Sequence, residues 1–292
     1  MKLSLNRYII IIKYYYIKEG VIITADMHTH SEFSHDSVCK TEDMCLSEIQ
    51  KGTSVMAVTD HCDVFAFDTY DVYTPIKNSC MEAKRLNEKF GDKLRVLSGV
   101  EVGEGFWFPK ECRKIETLCD YDVILGSVHC VKYKDMTMAY SRINFSELDK
   151  ETVADYYKTY LSDIMTMINN ADFDILTHMT CPINYIKGKF KIDLDLRQYE
   201  EDFSKILSEI IKREKSLEVN TAAFKVLGAF MPDEWLIKMY YDMGGRLITI
   251  GSDAHIAENA SNNFETAKKV LKEIGFKKLY YYEKRKPIAY DI

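Results

Sequence analysis

Short runs dominated by Val, Ile and Leu recur along the chain, with polar, helix-patterned stretches between them. The runs are Val21–Asp26, Ser54–Thr59, Leu94–Val100, Asp122–Ser127, Phe173–Thr177, Ser216–Asn220 and Arg246–Ile250. Their nearly continuous apolar character predicts strands buried on both faces of a parallel sheet. The stretches between them carry helix punctuation. Thr41 is a candidate N-cap for a helix ending at Gly52, and Thr74-Pro75 opens a second that Gly91 closes. Pro232-Asp233-Glu234 opens another, which Gly244-Gly245 stops just before the seventh strand. Helical patterns also fit Glu151–Asn170, Tyr199–Glu214 and Phe264–Ile274. Alternating strands and helices imply parallel strands joined by right-handed crossovers. Seven such units with no linker or repeat between them suggest an α/β barrel, and an open doubly wound sheet is the alternative.

With 292 residues the chain can form one large α/β barrel or two ordinary domains. Hydrophobic residues make up 47% and charged residues 29%, the composition of a soluble globular protein. The net charge of −6, without a long basic run, argues against non-specific nucleic-acid binding, which draws its strength from clustered Lys and Arg. A small phosphorylated substrate stays possible, because bound metal ions can supply positive charge locally. Tyr8 to Ile17 is apolar and aromatic, but Lys13 interrupts it and it is too short to span a bilayer. It also lacks the small-residue cleavage site of a signal peptide. Residues 1–20 are therefore expected to be an N-terminal extension outside a single domain spanning 21–292. Eight cysteines with no Cys-x-x-Cys pair read as reduced, packed thiols of a cytoplasmic protein.

The chain has seven histidines, and six of them fall at or just beyond the C-terminal end of a predicted strand. A parallel barrel gathers those ends on one face, where active sites are built. The first strand runs into Asp26-Met27-His28-Thr29-His30; residues i and i+2 of a strand point the same way, so His28 and His30 can grip one metal ion. The later strands end at Asp60-His61, Glu101, Ser127-Val128-His129 and Thr177-His178, and the seventh at Ser252-Asp253-Ala254-His255. His35 follows in the first loop. A lone histidine is more often packed or exposed than a ligand, and for His35 that reading remains reasonable. Imidazole and carboxylate ligands suit Zn, Mn or Fe. One tetrahedral ion uses about four ligands, so this many candidates imply two or three ions with shared carboxylates. Asp60 and Glu218 read as hydrogen-bond partners behind the ligands.

The succession His-x-His, Thr-Asp-His, Gly-x-Glu, Gly-Ser-x-His, His and Ser-Asp-Ala-His resembles the polymerase and histidinol phosphatase (PHP) superfamily. The resemblance runs from Val21 to near the C-terminus. It implies a distorted (β/α)7 TIM-like barrel holding three divalent metal ions. Carried over, the first ion is held by His28, His30, Glu101 and Asp253. The second takes Glu101, His129 and His178, and the third His35, His61 and His255. Glu101 and Asp253 are then the carboxylates at the centre of the chemistry.

Two further segments, Leu217-Glu218-Val219-Asn220-Thr221 and Gly275-Phe276 with Tyr282 and Arg285-Lys286-Pro287, are similar to the histidinol-phosphate phosphatases of that superfamily. The implied reaction is hydrolysis of L-histidinol phosphate, a small phosphorylated substrate, in histidine biosynthesis. Relatives often carry an arginine shortly after the fifth-strand histidine, where this chain has Asn184; Lys187, Lys189 or Arg142 is then expected to supply the substrate-facing cation. Glu104, Glu218 and Asn220 are candidates for contacting the substrate's imidazole and amine. The alternatives are a PHP phosphoesterase acting on nucleotides or DNA ends, an amidohydrolase-type barrel, and a catalytically silent metal-binding module. Amidohydrolases usually bridge their metals with a carbamylated lysine and lack a counterpart of the triad His35, His61 and His255.

Overall fold

The structure is a computed structural model that describes residues 23–292. The proposed extension, residues 1–20, and the first residues of the first predicted strand lie outside the described residues. The chain then alternates β1 (Ala25–Thr29), α1 (Thr41–Gln50), β2 (Val55–Val58), β3 (His61–Asp63), α2 (Tyr73–Phe90), β4 (Arg95–Gly103) and α3 (Pro109–Glu116). It continues through β5 (Val123–Ser127), the hairpin β6 (Cys130–Tyr133) and β7 (Met136–Ala139), α4 (Lys150–Asn170), β8 (Ile175–Leu176) and α5 (Glu200–Lys212). The last part holds β9 (Ser216–Asn220), α6 (Phe224–Leu227), α7 (Glu234–Asp242), β10 (Ile248–Gly251), α8 (Phe264–Ile274), β11 (Lys278–Glu283) and β12 (Lys286–Asp291).

The seven predicted strands correspond to β1, β2, β4, β5, β8, β9 and β10, hydrogen-bonded in that order and all parallel. Every residue of β1, β2, β5, β9 and β10 is buried, as the apolar runs required. β10 returns to β1 without a full ladder. The segment after β10 closes the gap through a parallel bridge between Thr29 and Ala254, with His30 N donating to Ala254 O (2.9 Å) and Asp253 N to His28 O (2.8 Å). The result is a nearly closed, distorted (β/α)7 barrel, and the open doubly wound alternative is set aside.

Several details differ from the sequence reading. β4 extends to Gly103, three residues beyond the predicted strand, because β3, which was not predicted, pairs with its second half with His61 opposite Glu101. Thr41 does not cap α1 with its own side chain; Glu32 takes that role, accepting from Thr41 N (2.6 Å) and Thr41 Oγ1 (3.2 Å). Asp71, not Thr74, caps α2, accepting from the backbone of Tyr73 (2.9 Å) and Thr74 (3.0 Å). A carboxylate serves better there, because it meets the positive end of the helix with a full charge.

The β11–β12 hairpin crosses the barrel end opposite the histidines. Arg285 in its turn pairs with Asp174, and Tyr282 Oη lies 2.8 Å from Ser216 Oγ. The Tyr280-Tyr281-Tyr282 run is thus packing, with Tyr281 and Tyr282 buried. All eight cysteines are unpaired, and six are buried. Among the described residues, no helix is long and apolar enough to cross a membrane.

Candidate metal centre

Each of the parallel strands except β9 delivers a histidine or a central carboxylate to one end of the barrel. His28 lies within β1 and His30 one residue past it; His61 opens β3, and Glu101 sits inside β4. His129 and His178 each follow two residues after β5 and β8, while Asp253 and His255 follow β10. Asp253 adopts a left-handed backbone (φ 53°), unusual for a residue with a side chain and held here by its hydrogen bond to His28 O. Gly251 has a packing reason: a β-carbon there would run into Glu218 Oε1 and lie 2.6 Å from His28 Cβ.

Glu101 is fully buried at the centre. Its Oε2 lies 2.8 Å from His61 Nδ1, 3.4 Å from His28 Nε2 and 3.6 Å from His30 Nε2. Its Oε1 lies 2.8 Å from His178 Nε2 and 3.2 Å from His129 Nε2. Asp253 Oδ1 is 3.1 Å from His30 Nε2 and 3.6 Å from His28 Nε2, and those two nitrogens are themselves 3.0 Å apart. His255 joins through a 4.0 Å ring stack on His30.

Hydrogen bonding does not account for this convergence. Glu101 Oε2 and His61 Nδ1, although 2.8 Å apart, are out of alignment and both lack a hydrogen-bond partner, as do His178 Nδ1 and His255 Nε2. Buried polar atoms left in this state cost about 1–3 kcal/mol each. Lone pairs converging on common points, several within 4.8 Å of one another, are the donor set of a cation site. The residues therefore fit divalent metal ions.

The charges reinforce one another. Burial opposes ionisation of Glu101, but the positive charge of His129, His28 and His61 outweighs it and holds the carboxyl well below its ordinary range. Asp253 is likewise depressed against the effect of burial, chiefly by His28, His30 and His255. Burial works against protonation of His61, yet Glu101 and Asp36 push it up to about 10. His30, with burial and neighbouring histidines both against its charge, is held well below its usual value.

His35 stands at the edge of the cluster: its ring lies 5.2 Å from that of His61 and lines the same cavity, but its side chain is 59% exposed and its nearest carboxylate, Asp63 Oδ2, is 3.9 Å away. The neighbouring Asp36 turns inward instead, with Oδ2 3.4 Å from His61 Nε2 and 3.2 Å from His255 Nε2. The sequence reading missed Asp36, because no periodicity governs which loop side chains reach a site. It also missed Asp63, whose Oδ1 lies 2.9 Å from His129 Nδ1. The i, i+2 spacing of His61 and Asp63 was a usable signal, hidden because β3 was not recognised as a strand.

Behind the cluster, Glu218 Oε1 meets His28 Nδ1 at 2.7 Å and Oε2 accepts His178 N at 2.7 Å. Asp60 acts at one remove: it accepts Ser34 Oγ (2.7 Å), which lies 3.0 Å from His30 Nδ1. Glu104 is buried, with Oε1 accepting the backbone N–H of His129 and Cys130. Asn220 donates to Glu218 and Asp253, both at 3.2 Å. Glu218 thus stands behind the ligands as first read, and none of Glu104, Glu218 and Asn220 lines the cavity at the cluster, which departs from their other expected role as substrate contacts.

A cavity of about 140 Å³ opens onto the cluster, bounded by Asp36, Asp63 and several of the histidines, with Tyr140 and Tyr185 on another side. Lys187, Lys189 and Arg142, the expected substrate-facing cations, do not line it. Lys187 faces a separate groove, and Lys189 and Arg142 are exposed. A larger surface cleft of about 620 Å³, near Lys134 and Asp202, contains no histidine.

The PHP domain family matches residues 26–222. A Thermotoga maritima protein described as "Probable histidinol-phosphatase" is 31% identical over 257 residues, covering 87% of this chain and 94% of that protein. The histidinol-phosphatase of Lactococcus lactis is 27% identical over 259 residues, covering 87% of this chain and 92% of that one. The fold also matches the crystal structure of the Lactococcus lactis histidinol phosphate phosphatase complexed with Zn, L-histidinol and phosphate. That match has a TM-score of 0.73 at 22% identity and covers 91% of this chain and 99% of the other. With the PHP domain model matching more than half of this chain and a relative alike along nearly the whole of both chains, this chain belongs to the histidinol-phosphatase family of PHP-domain proteins.

Proposed function

We propose that this protein is a metal-dependent phosphomonoesterase that hydrolyses L-histidinol phosphate to L-histidinol and phosphate. The observation that carries the metal-dependent reading is Glu101: both its oxygens face imidazole nitrogens, and Oε2 is without a hydrogen bond. The substrate follows from the relatives named above.

In this reading His28, His30, Glu101 and Asp253 hold one divalent ion, and Glu101, His129 and His178 a second. His61 and His255 hold a third, with Asp36 in the position first expected of His35; the distances from Asp36 to both rings support that exchange. Zinc, as in the Lactococcus lactis structure, suits these donors, and so do Mn and Fe. Bound divalent ions supply positive charge for phosphoryl oxygens and acidify water so that it can attack at neutral pH. The chain's own contribution is positional. Glu101 and Asp253 keep their negative charge despite burial, Glu218 and Asp63 fix two of the imidazole rings, and the barrel walls limit water access. The ring of carboxylates would repel a phosphate dianion without ions, which makes the site's function conditional on metal.

A nucleotide or DNA end is a poorer fit, because the cavity is small and, among the described residues, no Lys or Arg lines it. Residues 1–20 are proposed to lie outside the functional domain, since the family match begins at residue 26 and every candidate ligand lies beyond it. A panel of phosphomonoesters assayed with metals quantified in the same sample tests the reading. Preference for a nucleotide or phosphodiester would refute the histidinol assignment, and full activity in metal-free protein would refute the metal requirement.

A further inference from the structure

Most of the residues that line the cavity are polar: imidazoles, carboxylates and the Ser141 hydroxyl. The exception is one side, where Ala139, Tyr140, Cys181 and Tyr185 meet. Tyr140 is buried and fixed edge-on, its ring 6.3 Å from His129 at 71° and 6.2 Å from Tyr160 at 86°. Tyr185 lies 5.5 Å from Tyr140 at 48° and is only partly buried, so it is the outer member of the pair. It sits in a π-helical turn, Asn184–Lys189, closed by Phe190 N donating to Tyr185 O at 2.9 Å. Such turns are rare and concentrate at functional sites, because the extra residue per turn displaces a side chain from the regular helical face.

Phosphate recognition belongs to the polar side of the cavity, and the groups first expected to read the rest of the substrate are committed elsewhere. Glu104, Glu218 and Asn220 do not line the cavity, and among the described residues no Lys or Arg does. The aromatic side of the cavity is a feature able to tell a ring-bearing ester from a ringless one. Offset or tilted stacking supplies that discrimination at ring separations of about 4.5–7 Å.

Resting on the function proposed above, we infer that Tyr185, backed by Tyr140, is the specificity-determining residue that receives the planar heteroaromatic ring of the substrate. The test compares kcat/KM for L-histidinol phosphate with that for 2-aminopropyl phosphate, which keeps the amine and the phosphate but has no ring. Wild type, Tyr185→Phe and Tyr185→Leu are measured, each with its metal content. In wild type and Tyr185→Phe the ring-bearing ester is preferred. In Tyr185→Leu the preference falls about fivefold to tenfold, through KM for the ring-bearing ester and at unchanged metal content. A wild-type preference that survives intact in Tyr185→Leu overturns this inference alone, as does an equal loss on both esters, which marks a structural role. A wild type with no preference for the ring-bearing ester overturns the histidinol reading and this inference together.

Discussion

Glu218 Oε1 lies 2.7 Å from Nδ1 of His28, so the far nitrogen of that ring, Nε2, is aimed at Glu101 and Asp253. The same carboxylate accepts His178 N, which ties β1 to β8 across the barrel mouth through one side chain on β9. A carboxylate behind a ligating imidazole fixes its tautomer and raises its basicity. Glu218→Gln keeps the shape and loses the charge, and is expected to lower metal affinity or turnover about 10- to 100-fold. Metal titration of the variant beside steady-state kinetics checks this. Wild-type values for both would leave Glu218 as a packing residue only.

Glu101→Gln removes the one carboxylate shared by two groups of histidines. Activity should fall by at least about a thousandfold, roughly 4 kcal/mol of transition-state stabilisation, while circular dichroism stays native-like. Near-normal turnover at full metal occupancy would take Glu101 out of the reacting site.

Asp36 and His35 are adjacent but should behave differently. Asp36→Asn should reduce the number of ions bound per chain and lower turnover about tenfold or more, as expected when a ligand or its close partner is lost. His35→Asn should leave the metal content as it was. Elemental analysis of both variants decides between them, and the opposite ranking would restore His35 to the third site.

Removal of metal should abolish turnover and lower Tm, because ions that bind the folded state stabilise it by mass action, about 2.7 kcal/mol at a free concentration 100 times Kd. The pH dependence has a definite sign. In the metal-free protein Glu101 keeps His61 protonated up to about pH 10 against the effect of burial, so an incoming ion must displace that proton. Apparent metal affinity should therefore rise with pH from 6 to 9. Calorimetric titration with Zn in buffers of different ionisation enthalpy measures the released protons, and pH-independent affinity without proton release would contradict the electrostatic picture.

Deleting residues 1–20 should leave turnover and Tm unchanged, since all the residues named in the site follow Val21. Loss of both in the truncated protein would make the segment part of the domain.

Most of the fold was legible in the chain itself. Strands buried on both faces are written as unbroken Val, Ile and Leu runs, and each of the seven was found within a few residues of its place. Histidines at strand ends were legible for a related reason, since parallel strands must deliver their C-terminal ends to one face. What only the tertiary structure decided lies where no period governs the side chain. Glu101, expected at the end of its strand, lies inside it, because pairing with β3 prolongs β4 to Gly103, and that pairing is a long-range contact no local pattern records. In the loop after β1, Asp60 accepts from Ser31 N (2.6 Å) and from the hydroxyls of Ser31 (2.8 Å) and Ser34 (2.7 Å), and the path of that loop brings Asp36 against His61 and His255 while His35 stays at the rim. Tyr185 reached the cavity by way of a π-helical turn, while Glu104 and Asn220 were drawn into the framework by backbone and side-chain partners far away in sequence. Strand and helix periods are local properties of the chain, but which polar atom a buried carboxylate satisfies depends on what the completed barrel brings next to it.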